Sequence, residues 1–97
     1  MITHVAVFTW ADGVGSDDVA RVRDALTSMA ATMPVIRGYE LGADAGLVDG
    51  NGDFAVVATF DDVDGWRTYD TDPEHVRIKT EVIKPLLASR VALQFEH

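Results

Sequence analysis

The chain contains no cysteine, so disulfides, thiolate metal sites and cysteine nucleophiles are all excluded. It has only 8 Lys and Arg residues against 16 Asp and Glu, and its formal net charge is -8. An acidic surface of this kind repels phosphate backbones and anionic lipid, so we expect neither nucleic acid nor a membrane as a partner. No apolar run approaches the length of a membrane span, and no N-terminal stretch has the pattern of a signal peptide. We therefore expect a cytoplasmic protein.

The composition predicts one domain over residues 1–97. Of these residues 47% are hydrophobic, which is enough for a single core and argues against global disorder. No linker, internal repeat or low-complexity segment divides the sequence. Runs rich in β-branched and aromatic residues predict strands over Ile2–Trp10, Val35–Leu41, Phe54–Phe60 and Arg90–Glu96.

Helical patterns lie between these strands. Ser16 is the expected N-cap of an amphipathic helix that Pro34 stops, and Asp61 opens a short helix. A third helix starts at Pro73, and we expect it to kink or end at Pro85, which lacks the N–H that a helix interior needs. The order β-α-β-β-α-β, with one extra short helix, is the ferredoxin-like pattern of a four-stranded antiparallel sheet with helices on one face.

The face of this sheet that the helices leave open is too apolar for a surface in water. One hypothesis is that a second copy of the chain packs on it about a two-fold axis, which makes a homodimer. The alternative is a monomer with an unusually apolar exposed face. The residues predicted for this open face are Thr3, Val5, Val7, Ala55, Val57 and Thr59.

A histidine lies in the first turn of the third predicted helix. Asp72 is a good N-cap, Pro73 suits the first helical position, and Glu74 complements the helix dipole. His75 then feels the positive end of the dipole, which disfavours imidazolium and leaves a neutral ring able to act as a base near pH 7. The alternative interpretation is a partly exposed first-turn residue without a chemical role.

Two further residues belong with His75 in a hypothetical site. His4 lies on the helix-covered face of the first strand, where a polar ring needs a partner. It is either a core histidine bonded to a carbonyl or carboxylate, or it shares a cavity with His75. Tyr69, on the short helix, would lie near both and could donate a hydrogen bond. A neutral histidine, a tyrosine hydroxyl and a second histidine in an apolar pocket make a plausible acid/base set.

No motif in the sequence calls for a metal or a cofactor. The stretch Asp49–Asp53 mimics the start of a calcium loop, but Phe54 and Phe60 stand where that loop needs glycine and glutamate. We interpret it as a tight turn between strands. No phosphate-binding glycine loop follows a strand, and no local pair of histidines has metal-ligand spacing.

The chain resembles the stress-responsive α/β-barrel (Dabb) family, a branch of the dimeric α+β barrel superfamily. The resemblance covers nearly the whole chain. It depends above all on Tyr69 followed by Asp72-Pro73-Glu74-His75, where the P-x-H signature opens an amphipathic helix. The other segments that carry it are His4–Phe8, Ile36–Gly42 and Phe54–Phe60.

This resemblance implies a homodimer whose two sheets form a central barrel with the helices outside. Some relatives are polyketide cyclases, which work without a cofactor. By the resemblance, His75 would be the base, Tyr69 would assist it, and His4 would lie nearby. Two hypotheses follow: a small enzyme or binding protein for a hydrophobic carbonyl or aromatic, polyketide-like compound, or a non-catalytic, stress-linked structural homodimer in which the same residues are packing groups.

Overall fold

A computed structural model describes residues 1–97, and one sheet organises the fold. Its strands are β1 (Ile2–Trp10), β2 (Ile36–Ala43), β3 (Phe54–Phe60) and β4 (Leu87–Glu96). The α-helices are α1 (Ser16–Ala30), α2 (Val63–Thr71) and α3 (Pro73–Arg77). A π-helical turn over Ile78–Ile83 and a 3₁₀ turn over Lys84–Leu86 join α3 to β4. None of the helices combines the length and apolar character that crossing a membrane requires.

The predicted ferredoxin-like fold is confirmed by the strand order β2-β3-β1-β4, in which every neighbouring pair is antiparallel. Alternate side chains of the two central strands point toward the helices, as a two-residue period requires. Phe8 stacks on Phe54 across them, and α1 adds Leu26 and Met29 to the same core. The helices therefore cover one face of the sheet and leave the other without a layer.

The first helix starts differently from the sequence prediction. Its N-cap is Gly15 and not Ser16, because Gly15 has extended backbone angles while Ser16 is already helical. The Asp18 carboxylate accepts a hydrogen bond from the Gly15 N–H at 3.1 Å, so the acidic first turn supplies the cap from inside the helix. The helix also ends at Ala30, ahead of Pro34.

The third helix departs from α geometry earlier than predicted. The change comes at Ile78, seven residues before Pro85, where the chain widens into the π turn. The N–H of Lys84 bonds to the carbonyl of Lys79, five residues back. A proline in α geometry would clash with the carbonyl four residues earlier, so the segment ahead of Pro85 adopts other turns. Strand β4 then begins at Leu87, three residues before the predicted start.

The open face of the sheet carries exposed apolar side chains at one edge. Val91, Leu93 and Phe95 are 66%, 56% and 47% exposed. The β1–β4 register places Val91 opposite Val7 and Leu93 opposite Val5, so these residues lie on the face away from the helices. The open face, defined here as this group together with Thr3, Val5, Val7, Ala55, Val57 and Thr59, is continuous across β3, β1 and β4.

The segment that mimics a calcium loop belongs to the connection between β2 and β3. A turn forms at Asp49 and Gly50, where Gly50 has a positive φ of 86° that favours glycine. Asp53 fixes the end of this connection, since its N–H donates to the Phe8 carbonyl at 2.8 Å and its carboxylate accepts from the Trp10 N–H at 2.8 Å. Asp53 therefore has structural partners on β1.

Candidate active site

A cavity of about 70 Å³ lies between the sheet and the helices. Its apolar walls come from both layers: Ala6, Phe8, Leu26, Val56, Ile83 and Leu87. Its polar lining includes all three residues proposed from the sequence: His4, Tyr69, Asp70, His75, Lys79 and Arg90.

The start of α3 positions His75 in this cavity. Asp72 caps the helix, since one of its carboxylate oxygens accepts from the N–H of Glu74 at 2.9 Å and of His75 at 3.2 Å. Pro73 occupies the first turn, where its missing N–H costs nothing. The His75 side chain is only 5% exposed, so the interpretation as a partly exposed first-turn residue is not what the structure shows.

One hydrogen bond determines which nitrogen of His75 carries a proton. The Nδ1 atom lies 2.8 Å from the backbone carbonyl of Tyr69. A carbonyl oxygen only accepts, so Nδ1 donates, and the neutral ring keeps its lone pair on Nε2. Burial lowers the pKa of His75, and the Tyr69 carbonyl opposes this by raising it. Burial is the largest cause of the lowered pKa and therefore favours the neutral ring.

His4 adopts the tautomer opposite to that of His75. The side-chain amide nitrogen of Gln94, on β4, donates to His4 Nδ1 at 2.8 Å, so the neutral ring carries its hydrogen on Nε2. Burial and the nearby positive charge of Arg90 lower the pKa of His4 to about 4. His4 is 5% exposed and its partner is an amide, not the carbonyl or carboxylate expected for a core histidine.

Tyr69 links the two histidines through its ring and its main chain. Its ring lies 4.0 Å from the His75 ring and 6.0 Å from the His4 ring, measured between centroids. Its hydroxyl pairs with the Tyr39 hydroxyl at 3.2 Å, and burial raises the pKa of both phenols. Tyr69 therefore orients His75 through its backbone carbonyl and its ring face, while its hydroxyl is shared with Tyr39.

The remaining ring nitrogens of His4 and His75 are free and accessible. Neither Nε2 has a hydrogen-bond partner within the chain. Both atoms also keep some solvent-accessible surface. The one side-chain nitrogen or oxygen that is both fully buried and without a partner is Nε1 of Trp66. The cavity thus combines an acceptor on His75 with an N–H donor on His4. A base and a hydrogen-bond donor in one apolar space are the groups that proton transfer requires.

The change from α to π winding keeps three side chains on the cavity side. His75, Lys79 and Ile83 are spaced four residues apart and all line the cavity. An α-helix has 3.6 residues per turn, so side chains four residues apart point in directions that rotate slightly around the helix axis. A π turn contains more residues, so the same spacing rotates the direction the opposite way. Lys79 is held by Asp70, whose carboxylate lies 3.2 Å and carbonyl 3.0 Å from Nζ.

Sequence reasoning missed Tyr39, Lys79, Arg90 and Gln94. Arg90 and Gln94 carried a recognisable pattern, since polar residues alternate with apolar ones on β4 and the apolar set belongs to the open face. Their polar side chains therefore had to face the helices. Lys79 follows His75 by four residues, a spacing that shares one helix face. Tyr39 had no comparable local pattern.

Comparison with known proteins supports the fold and the family. The model of the stress responsive A/B barrel domain (Dabb) matches residues 2–97. A dimeric ferredoxin-like protein of unknown function from Thermobifida fusca YX is 47% identical, with 99% of this chain and 90% of that chain covered and a TM-score of 0.90. A dimeric protein of ferredoxin-like fold from Bacteroides fragilis NCTC 9343 is 25% identical, with 99% and 95% covered and a TM-score of 0.78.

A more distant structural match shares the fold alone. The hydroxynitrile lyase of Passiflora edulis is 14% identical, with 97% of this chain and 90% of that chain covered and a TM-score of 0.84. No curated protein sequence matches the chain.

Proposed function

The chain belongs to the stress responsive A/B barrel domain family, and on the geometry of its cavity we propose that it binds a small hydrophobic carbonyl compound and transfers a proton on it without a cofactor. The observation that carries this proposal is the opposed protonation of the two histidines. Nδ1 of His75 is committed to the Tyr69 carbonyl and Nδ1 of His4 to Gln94. Each histidine therefore lines the cavity with its Nε2 atom left in one defined protonation state.

The proposed step is abstraction of a proton from a carbon next to the carbonyl group. His75 Nε2 takes the proton, the C–H electron pair forms the enolate, and the negative charge develops on the carbonyl oxygen. The Nε2–H of His4 donates to that oxygen, which favours the charged transition state more than the neutral substrate. The protonated His75 then returns a proton to the enolate, either to the same carbon, which exchanges its hydrogen with solvent, or to the oxygen, which gives the enol.

The size of the cavity limits the substrate. An enclosed water needs roughly 10–15 Å³, so a cavity of about 70 Å³ accepts roughly five to seven non-hydrogen atoms. This favours a short carbonyl compound over an aromatic or polyketide chain within the single chain. The Passiflora edulis protein is a hydroxynitrile lyase by name, and its likeness to this chain is one of fold. The proposal therefore depends on the residues of this cavity.

Hydrogen exchange tests the base directly. Butanone in D₂O is incubated with the protein, and the loss of the proton signals next to the carbonyl is followed by NMR. We expect the unmodified protein to accelerate exchange and His75→Gln to lose about 100-fold of that acceleration, the usual lower range for a general base. His97→Gln, the same change at an exposed histidine outside the cavity, is the control.

Equal exchange rates for the unmodified protein and His75→Gln would contradict the proposal. If butanone also failed to raise the melting temperature, the structural hypothesis, in which these side chains only pack, would take its place.

We also propose that two copies associate through the open face. Two relatives are described as dimeric, and exposed apolar side chains on a sheet face are stabilised when a second layer covers them. Val91 is 66% exposed on this face, whereas Val76 is 44% exposed on α3, away from it. Light scattering after gel filtration should report a dimer for the unmodified chain and for Val76→Glu, and a monomer for Val91→Glu. Dimeric Val91→Glu would refute this interface.

A further inference from the structure

We infer that the compound bound in the cavity carries a carboxylate, and that Arg90 binds this group and thereby determines substrate specificity. The inference rests on the proposed binding of a carbonyl compound and adds the chemical class, a short oxo acid.

The charges around the cavity favour an anion. Asp70 and Lys79 form an ion pair at 3.2 Å and cancel each other. His4 and His75 have lowered pKa values and are neutral near pH 7. Arg90 is left as the one uncompensated charge of the lining, so the cavity is locally positive in a chain whose formal net charge is -8.

Arg90 differs from the other basic side chains in its surroundings. Most of them have an acidic partner or, in the case of Arg23, lie over an aromatic ring. Arg90 forms no ion pair and no side-chain hydrogen bond within the chain, although a guanidinium offers five donors arranged to match a carboxylate. Arg67 and Lys84 are also unpaired, but neither lines the cavity.

The register of β4 places Arg90 on the side of the sheet where the chemistry occurs. Arg90 lies opposite Phe8 and Gln94 opposite His4, so both polar side chains lie on the helix side of the sheet, at an edge strand where they also remain exposed to solvent. The charge of Arg90 is the second cause, after burial, of the lowered pKa of His4, which shows that the guanidinium is within electrostatic range of that ring. A carboxylate held by Arg90 would therefore leave the carbonyl of a short oxo acid close to His4 and His75.

An alternative role for Arg90 is purely structural. A charged side chain on an edge strand discourages pairing with other sheets, and β4 is an edge strand. That role predicts that a neutral replacement changes self-association and leaves ligand binding unchanged. The carboxylate role predicts the reverse, with a loss confined to anionic ligands.

Two isomeric probes separate these roles. The compounds 2-oxobutanoate and methyl pyruvate have the same framework size and differ in charge, since the second is a neutral ester. Calorimetry should show that the unmodified protein binds 2-oxobutanoate at least about tenfold more tightly, the scale of a charge-assisted hydrogen bond. Arg90→Gln should remove this preference and leave the affinity for methyl pyruvate unchanged, while Arg67→Gln, the same change on α2 outside the cavity, should keep it.

Failure of the inference and failure of the proposed function give different results. If both probes bind equally to the unmodified protein and exchange their hydrogens in a His75-dependent way, Arg90 has no role in recognition and the proposed function stands. If neither probe binds and neither exchanges, the proposed function falls and this inference falls with it. A tenfold preference that persists in Arg90→Gln also overturns the assignment of Arg90.

Discussion

The Nδ1 atom of His75 donates a hydrogen bond to the backbone carbonyl of Tyr69 across 2.8 Å. Because the acceptor is a main-chain atom, substitution of the Tyr69 side chain leaves it in place. The bond joins the last turn of α2 to the first turn of α3, so the break between the two helices is what aims the imidazole. In a continuous α-helix the donor to this carbonyl would be the N–H of residue 73, which Pro73 lacks, so the carbonyl accepts only the Asp72 N–H at 3.4 Å and can also accept from His75.

The N-cap of α3 should control the orientation of His75. In Asp72→Ala the N–H groups of Glu74 and His75 lose their shared acceptor, and we expect a loss of about 0.5–2 kcal/mol in the free energy of unfolding. Asp62→Ala, which removes the N-cap bond to Gly65 of α2, should cost a similar amount. Urea titration measures the stability, and only Asp72→Ala should shift the NMR signals of the His75 ring. An equal shift in both variants would contradict the positioning role.

The Tyr39 and Tyr69 hydroxyls should be energetically coupled. Each is the partner of the other at 3.2 Å, so a single change to phenylalanine leaves the remaining hydroxyl unpaired in a mostly buried place. Tyr39→Phe, Tyr69→Phe and the double variant form a cycle, and we expect a coupling of about 0.5–1.5 kcal/mol in the free energy of unfolding. Additive losses would show that the hydroxyls act independently. The NMR-measured pKa of His75 should stay low in all three variants, because burial lowers it and the phenylalanine rings keep the imidazole buried.

Acid should destabilise the folded chain through His4. Its folded pKa of about 4 lies below the unfolded value of about 6.5, so between these values the unfolded chain binds a proton that the folded chain does not. The stability contributed by the neutral ring is complete above pH 6.5 and is lost as the pH falls toward 4. Between pH 7.5 and 5, the unmodified chain should lose about 1 kcal/mol more than His4→Gln, after allowance for solvent in the cavity.

Urea unfolding at the two pH values measures this difference. His75 is present in both proteins, and its contribution cancels in the comparison. The same loss in the unmodified chain and in His4→Gln would show that His4 does not titrate differently on folding.

Gly52 should be intolerant of a side chain although it lies in a connection between strands. A Cβ atom at this position would overlap Val7 Cγ1, whereas a Cβ at Gly42 would meet nothing within 4 Å. We expect Gly52→Ala to lose about 1–3 kcal/mol in the free energy of unfolding, since Val7 must move. Gly42→Ala, the control, should change stability by less than about 1 kcal/mol. Thermal and urea unfolding measure both, and an unchanged Gly52→Ala would show that Val7 repacks freely.

The strands and the general fold could be predicted from local patterns. Alternating apolar residues define the two faces of β1 and β3, and the predicted bounds of Ile2–Trp10 and Phe54–Phe60 agree with the structure. Those patterns are properties of each segment alone. The placement of His4 on the helix-covered face followed from the same alternation.

The partners of the site residues could not be predicted in this way. Gln94 meets His4 because of the β1–β4 register, and Tyr39 meets Tyr69 through a contact between β2 and α2. Both contacts depend on the packed arrangement of distant segments. The π turn was also missed, because the residues between Ile78 and Ile83 have the apolar spacing of an ordinary helix, and Pro85 acts on the turn ahead of it.

Strand β4 serves two surfaces with one alternating sequence. Its odd-numbered apolar residues from Val91 to Phe95 face away from the helices, whereas Arg90 lines the cavity and Gln94 lies on the same side, opposite His4. A single-residue deletion or insertion near Leu87 would exchange these two sets. His4 would then face Leu93 after an insertion or Phe95 after a deletion, and the charge of Arg90 would enter the apolar face in the same event. Length variation in this strand is therefore much harder to tolerate than substitution at any one of its positions.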